Sequence, residues 1–136
     1  MNIPRTLASV GTVAALAAGT VAVAAAPAQA AAYNGACGSG YRVIDKMNIN
    51  MDRATVYLTY NSGWNCVVTI TNTPGKREYM SAQIERSNGG DWIEDEGYYT
   101  QYAGPVYVYA PNECIDWGGS IAYTDVTWIQ WDDHCG

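Results

Sequence analysis

Short segments of the chain alternate hydrophobic and polar residues. In residues 54–60, Val56, Leu58 and Tyr60 fall on one face. Tyr57 and the two threonines of the segment fall on the other face. A period of two is typical of half-buried antiparallel strands. The same alternation predicts strands at residues 66–72, 78–86 and 105–110.

Turn residues separate these segments. Residues 61–65 read Asn-Ser-Gly-Trp-Asn, and Pro74 and Gly75 lie at the centre of residues 72–76. Proline presets a negative φ and glycine tolerates a positive one, so both favour turns. The Gly-Gly-Ser at 118–120 predicts a hairpin turn between a strand at 114–117 and a longer one at 121–131. Residues 92–96 read as a short acidic element.

No amphipathic helix of ten or more residues follows residue 30. Several short strands with regular turns favour one of two architectures, because each sheet must bury its apolar face. The sequence therefore predicts an all-β fold, a small antiparallel β-sandwich or barrel stabilised by two disulfides.

The first thirty residues have the pattern of a secretory signal peptide. Arg5 is the only charge before an uncharged, alanine-rich run, which ends at Ala28-Gln29-Ala30. This order of a basic, an apolar and a small-residue region is that of a cleavable export signal. We expect residues 1–30 to be removed and residues 31–136 to form a single β-rich domain.

Four cysteines lie in the expected mature chain, at Cys37, Cys66, Cys114 and Cys135. Export to an oxidising compartment makes two disulfides the expected state, and four cysteines allow three connectivities. We favour Cys37–Cys66 with Cys114–Cys135, because each pair closes a short loop. No C-x2-C pair is present and the chain has one histidine, so the sequence predicts no metal site and no cofactor.

The expected mature chain is acidic. Without Arg5, six basic residues stand against thirteen acidic ones, a formal net charge of −7. Nucleic-acid phosphates and anionic membranes both attract basic surfaces. Neither is an expected partner.

Five segments resemble a known family. They are AAYNGACGSGY at 31–41, TVYLTYNSG at 55–63, NCVVTI at 65–70, YAGPVYVY at 102–109 and CIDWGG at 114–119. These segments, anchored at all four cysteines, resemble the secreted spore-associated protein A family of filamentous, spore-forming actinobacteria. The resemblance implies an exported protein found with aerial growth and spores. It implies no catalytic residue and no cofactor.

Catalytic chemistry has few candidates in this chain. His134 follows Asp132 and Asp133, but adjacent residues on a strand point to opposite faces. We therefore expect a solvated histidine near the C-terminus. Paired carboxylates for glycoside hydrolysis, or oxygen ligands for calcium, would come from Asp91, Glu94, Asp95, Glu96 and Asp116. Their spacing matches no calcium loop, and we interpret the 91–97 cluster as a solvated loop.

The tyrosines are the better lead. The chain has eleven tyrosines and no phenylalanine. If Val106 and Val108 line the core, pleating places Tyr107 and Tyr109 on the outer face. Tyr57 alternates with apolar neighbours in the same way. Tyr57, Tyr107 and Tyr109 form a predicted aromatic platform for a sugar or a protein. The competing interpretation is that these tyrosines fill the core.

Three hypotheses of function follow. The first is a secreted, non-enzymatic protein at the spore or aerial-hypha surface, retained by wall or spore-coat polymer or by another surface protein. The second is a carbohydrate-binding module that uses exposed tyrosines. The third is a secreted inhibitor of an extracellular hydrolase. In it, Lys76 and Arg77 of the exposed loop 72–78 would be the residues that a trypsin-like site recognises.

Overall fold

A computed structural model describes residues 19–22 and 30–136 of the chain. The predicted signal peptide falls mostly outside these residues and stays a prediction. The described part contains eight strands and no helix, and so no helix that could cross a membrane. The strands are β1 (Arg42–Ile49), β2 (Ala54–Asn61), β3 (Trp64–Thr71), β4 (Glu78–Arg86), β5 (Ile93–Tyr99), β6 (Tyr102–Tyr109), β7 (Ile115–Ile121) and β8 (Trp128–Asp133).

The strands form two four-stranded sheets. Sheet 1 has the order β1-β2-β3-β6 and sheet 2 the order β5-β4-β7-β8. Every paired strand is antiparallel to its neighbour. The all-β prediction is confirmed, and of its two architectures the structure is the sandwich.

The core lies between the inner faces of the two sheets. Val56 and Leu58 point inward from β2, and Met80 and Ile84 point inward from β4, all fully buried. Trp117 of β7 is the largest fully buried side chain. Val106 and Val108 also belong to this core, as the sequence predicts. The period-two pattern therefore identified the inner faces correctly.

One side of the sandwich is closed by the corner between β5 and β6. The Asp95 carboxylate accepts a hydrogen bond from the Tyr99 hydroxyl at 2.6 Å and one from the Gly104 amide at 2.7 Å. A single acidic side chain thus joins the two strands at the point where the chain passes from sheet 2 to sheet 1. Residues 93–99 are a strand, so the prediction of a loop at 91–97 is wrong, although no residue of β5 is fully buried.

Strand β1 is missing from the predicted strands because its alternation is broken. The register against β2 shifts between Val43 and Asp45, which marks a bulge. As a result Ile44, Met47 and Ile49 all pack against the core at unequal spacing. A regular period of two cannot detect such a strand.

The predicted turn at residues 118–120 is wrong, because β7 runs without a break through these residues. A Cβ atom on Gly119 would lie 2.2 Å from Thr69 Oγ1 of the opposite sheet and 2.4 Å from the Ser81 carbonyl oxygen. A Cβ on Gly118 would lie 1.8 Å from the Trp128 carbonyl oxygen. The two glycines therefore permit close packing instead of a turn.

The four cysteines form the pairs Cys37–Cys66 and Cys114–Cys135, which are those favoured from the sequence. The first disulfide joins the segment before β1 to the outer face of β3. The second joins the residue before β7 to a residue after the end of β8. The first disulfide thus attaches the segment before β1 to sheet 1, and the second links the flanks of β7 and β8 in sheet 2.

Replacing Gly119 tests the close contact between the sheets. We expect Gly119→Ala to destabilise the domain by about 3 kcal/mol, because neither Thr69 nor the Ser81 backbone can move away without disturbing the core. Gly90→Ala is the matched control, since its Cβ would meet nothing within 4 Å. Urea unfolding of both variants measures the difference. Equal stability of the two variants would show that the sheets are not in contact here.

Candidate functional site

Part of the outer face of sheet 1 is apolar and is covered there by the chain itself. Tyr57, Val68 and Ile70 form a second, smaller core on this face. Ala31, Tyr33 and Ala36 pack over them from the segment before β1. This segment, residues 31–37, is called the N-terminal cover below.

Tyr57 lies beneath the N-terminal cover. It does point away from the main core, as its alternation predicts, but it is only 6% exposed. Its hydroxyl donates a hydrogen bond to the Ala31 carbonyl oxygen at 2.5 Å, and burial raises the pKa of the Tyr57 phenol. Tyr57 therefore does not belong to an exposed platform, because alternation identifies a face and does not show what covers it.

Tyr107 is half-buried at the edge of the cover. Its hydroxyl donates to the Cys37 carbonyl oxygen at 3.0 Å. Its ring meets the Tyr41 ring edge-on, with the ring centroids 5.7 Å apart. Burial, with smaller contributions from Tyr41 and Tyr33, raises the pKa of the Tyr107 phenol. Tyr107 borders the open part of the face and offers only part of its ring.

Tyr109 is exposed, and it has a partner that the sequence analysis did not single out. Trp64 opens β3 directly opposite Tyr109 at the end of β6. The two ring centroids lie 5.4 Å apart with the rings tilted by 52°. Trp64 is 46% exposed and Tyr109 is 49% exposed. Trp64 and Tyr109 are called the aromatic pair below.

The hairpin turn between β2 and β3 determines where the aromatic pair lies. Ser62 and Gly63 have φ values of 49° and 89°, the positive angles of a two-residue hairpin turn. A Cβ on Gly63 would lie 2.6 Å from Cε2 of Tyr109, so the Tyr109 ring rests against the bare turn. The Ala110 amide donates to the Gly63 carbonyl oxygen at 3.0 Å and attaches the end of β6 to this turn. Contacts with the turn thus support the Tyr109 ring and attach the end of β6 beside Trp64.

An amide completes the row that contains the aromatic pair. Asn61 pairs with Trp64 in the register of β2 and β3, so Asn61, Trp64 and Tyr109 are cross-strand neighbours. Two partly exposed rings beside a carboxamide combine an apolar stacking surface with a hydrogen-bonding group. Sugar rings present the complementary combination of apolar C–H faces and hydroxyls. The signal for Trp64 in the sequence was its position just after a Ser-Gly turn.

Three of the five acidic residues considered for catalysis or calcium accept hydrogen bonds from the protein. Glu96 accepts a hydrogen bond from the Tyr79 hydroxyl at 2.6 Å, and Asp95 is engaged at the β5–β6 corner. Asp116 is 5% exposed and accepts from the Ser87 hydroxyl and the Asp132 amide. Their hydrogen bonds join elements of the fold.

His134 is not a solvated tail residue, so that expectation is wrong. Its side chain is 29% exposed, and its Nε2 lies 2.9 Å from Oδ2 of Asp45 on β1. His134 has a φ of 49°, so it does not continue the extended geometry of β8. The alternation of side chains along a strand does not apply to His134, because β8 ends at Asp133.

The loop 72–78, proposed to enter the active site of a hydrolase, is exposed, but its two basic side chains contact other residues of the protein. Lys76 Nζ lies 3.0 Å from Oε1 of Glu78, which also pairs with Arg53. The Arg77 guanidinium lies 5.4 Å from the centre of the Tyr98 ring. An inhibitor would need one of these side chains to project freely, so the contacts do not favour that role.

Removing the first disulfide tests the N-terminal cover. We expect Cys37→Ala/Cys66→Ala to lose about 3.5 kcal/mol and to free the cover, because the bond joins residues 29 positions apart and attaches the cover to β3. Cys114→Ala/Cys135→Ala is the control, since the bond that it removes closes a loop of similar length elsewhere. Aminopeptidase trimming of a chain that begins at Ala31 measures the release. Equally fast trimming of both variants would contradict the attachment.

Titration in base tests the Tyr79–Glu96 hydrogen bond. That bond, aided by desolvation and by nearby negative charge, raises the pKa of Tyr79 from 10.0 to about 12. The folded chain keeps this proton where the unfolded chain releases it, so its stabilising contribution is complete below pH 10 and disappears as the pH rises to about 12. We expect Glu96→Gln to lower the Tyr79 pKa in tyrosinate absorbance. Glu94→Gln removes a charge without a hydrogen bond and is expected to shift it less; an equal shift would contradict this assignment.

Comparison with known proteins gives one relationship. No family model matches the chain, and no solved structure matches it. The chain is 46% identical over 135 residues to spore-associated protein A of Streptomyces coelicolor, a match that covers 96% of this chain and 86% of the relative. The resemblance stated from sequence segments is confirmed over almost the whole chain. This chain belongs to the spore-associated protein A family.

Proposed function

We propose that this protein is a non-enzymatic component of the spore or aerial-hypha surface, retained there by contact between the aromatic pair and an uncharged polysaccharide of the wall. The observation that carries the proposal is the pairing of two half-exposed rings, Trp64 and Tyr109, in one cross-strand row. The name of the Streptomyces coelicolor relative supports the location.

Because of where the aromatic pair lies, its two rings lose little conformational entropy when a ligand binds. Trp64 lies on β3, an interior strand of sheet 1, and Tyr109 is supported by the Gly63 turn. Rings that are already fixed lose little conformational freedom when a ligand stacks on them. A flexible loop with the same residues would lose more.

Charge favours an uncharged polymer. The expected mature chain is acidic, so an anionic polymer would be repelled over long range. The residues on either side of the aromatic pair in sequence, from Asn61 to Asn65 and from Val108 to Ala110, carry no charge. An uncharged glycan meets no long-range repulsion, and these sequence neighbours bring no charge that must be desolvated.

Weak stacking is sufficient for retention on a polymer. Two rings contribute on the order of 1–3 kcal/mol in total, which is too little for tight binding of a single sugar. A wall offers many equivalent sites close together, so a protein released from one site is recaptured by the next. The proposal therefore predicts retention on insoluble wall and weak binding of short oligosaccharides.

Binding to wall material tests the proposal. We expect the purified domain, residues 31–136, to be retained on washed spore walls and on chitin, which is an uncharged polysaccharide. Trp64→Ala/Tyr109→Ala is expected to bind about 10- to 100-fold more weakly, because both stacking surfaces are lost. The bound fraction at increasing amounts of wall measures the difference.

A second aromatic pair provides the matched control. Trp92 and Trp131 lie with ring centroids 6.0 Å apart, and Trp131 is 63% exposed. Trp92→Ala/Trp131→Ala removes comparable aromatic surface from sheet 2 and is expected to bind as the unchanged protein does. Circular dichroism and thermal unfolding confirm that both variants are folded. Failure of the unchanged domain to bind, or equal loss in both variants, would overturn the proposal.

A further inference from the structure

Three side chains of types that bind metals converge at one edge of the sandwich. At this edge β1 of sheet 1 lies near the end of β8 of sheet 2, and it is called the open side below. Asp45 comes from the bulged part of β1, Asp133 from the end of β8, and His134 follows it. His134 Nε2 lies 2.9 Å from Asp45 Oδ2 and 3.5 Å from Asp133 Oδ2. One ligand atom of each residue lies within 4.8 Å of the other two. The cluster thus joins sheet 1 to sheet 2.

Hydrogen bonds outside the cluster fix the two carboxylates. The Trp117 indole Nε1 donates to Asp133 Oδ2 at 2.9 Å, and the backbone amide of His134 donates to Asp133 Oδ1 at 3.0 Å. The Lys46 amide donates to Asp45 Oδ1 at 2.7 Å, which leaves Asp45 Oδ2 directed at the histidine. Metal ligands in proteins are typically oriented by such outer contacts.

The charge of the cluster calls for a cation. Two carboxylates this close repel each other, and they are partly withdrawn from water. Within residues 30–136 neither carboxylate forms an ion pair with a lysine or an arginine. In that part of the chain, the His134 imidazole is the only basic side chain within 4.0 Å of them. A bound divalent cation would neutralise both carboxylates and keep the imidazole as a neutral ligand.

A cleft next to the cluster leaves room for further ligands. It measures about 410 Å³, and its lining includes Arg42, Ile44, Tyr60 and Asn65. Of the three residues of the cluster, His134 is the one that borders it. A site with three protein ligands needs at least one further position for water or a small ligand. The cleft supplies space for it on the side of the histidine.

We propose that Asp45, Asp133 and His134 bind a divalent transition-metal ion of the zinc type. Zinc accepts imidazole nitrogen and carboxylate oxygen at about 2.0–2.2 Å, which puts neighbouring ligand atoms about 3.3 Å apart in a tetrahedral site. The separations of 2.9 and 3.5 Å from the imidazole nitrogen bracket this value. Calcium prefers oxygen ligands alone, so the histidine selects against it.

The proposed ion would fasten the open side of the sandwich. Asp45 belongs to sheet 1, while Asp133 belongs to sheet 2. An ion that binds the folded chain and not the unfolded one stabilises the fold, and the stabilisation grows logarithmically as the free ion concentration exceeds the dissociation constant. This role is independent of the aromatic pair and of the proposed retention on a wall.

Calorimetric titration of the metal-free domain with zinc chloride tests the site. We expect one zinc ion per chain and a rise in Tm with zinc. Asp45→Asn and His134→Gln each remove one ligand and are expected to weaken zinc binding at least about 100-fold and to abolish the rise in Tm. Asp125→Asn removes the same charge as Asp45→Asn from an exposed loop residue and is the matched control. Calcium chloride is expected to give no comparable binding.

The single histidine makes a second readout specific. Because the chain has one histidine, the imidazole signals in an NMR spectrum report this cluster alone. We expect these signals to shift until one equivalent of zinc has been added. The protein is prepared without a histidine tag, and thermal unfolding in EDTA verifies that each variant is folded. Absence of stoichiometric zinc binding, or unchanged binding in either folded ligand variant, would overturn the proposal.

Discussion

Sheet 1 is apolar on both faces, and much of the structure follows from this constraint. Leu58 and Val67 face the main core, while Val68 and Ile70 of the same sheet face the other way. An apolar outer face needs a cover, since a sandwich buries only one face of each sheet. The N-terminal cover performs this task, attached by Cys37–Cys66 and by the Tyr57 hydroxyl. The fold itself therefore depends on the redox state of the compartment, because that disulfide persists where conditions are oxidising.

The cover ends before it reaches the Gly63 turn, and this determines which aromatic residues meet solvent. Along the outer face, exposure increases from buried Tyr57 through half-buried Tyr107 to the open aromatic pair. The three tyrosines chosen from sequence thus lie on one face but in three environments. A ligand can contact only the uncovered part of that face. There Trp64 adds a second exposed ring next to Tyr109.

Period-two alternation predicted strands β2, β3, β4 and β6 and the inward direction of Val106 and Val108, because each has one face in the core. It could not predict β1, where a bulge breaks the period, or the continuity of β7, where Gly119 serves packing against Thr69. The covered state of Tyr57 depends on a segment twenty residues or more away in sequence. The Asp45–His134 contact joins residues 89 positions apart, so no local pattern contains it.

The aromatic pair and the carboxylate cluster share one end of sheet 1 but lie on different sides of it. Trp64 and Tyr109 point outward, while the residues that follow them, Asn65 and Ala110, border the cleft beside His134. Strand alternation makes this separation obligatory, since neighbouring residues point to opposite faces. A ligand stacked on the pair therefore has no direct access to the cluster through the sheet. Metal binding at the cluster and polymer binding at the aromatic pair are thus separate properties. A substitution at one of these two sites therefore leaves the other intact.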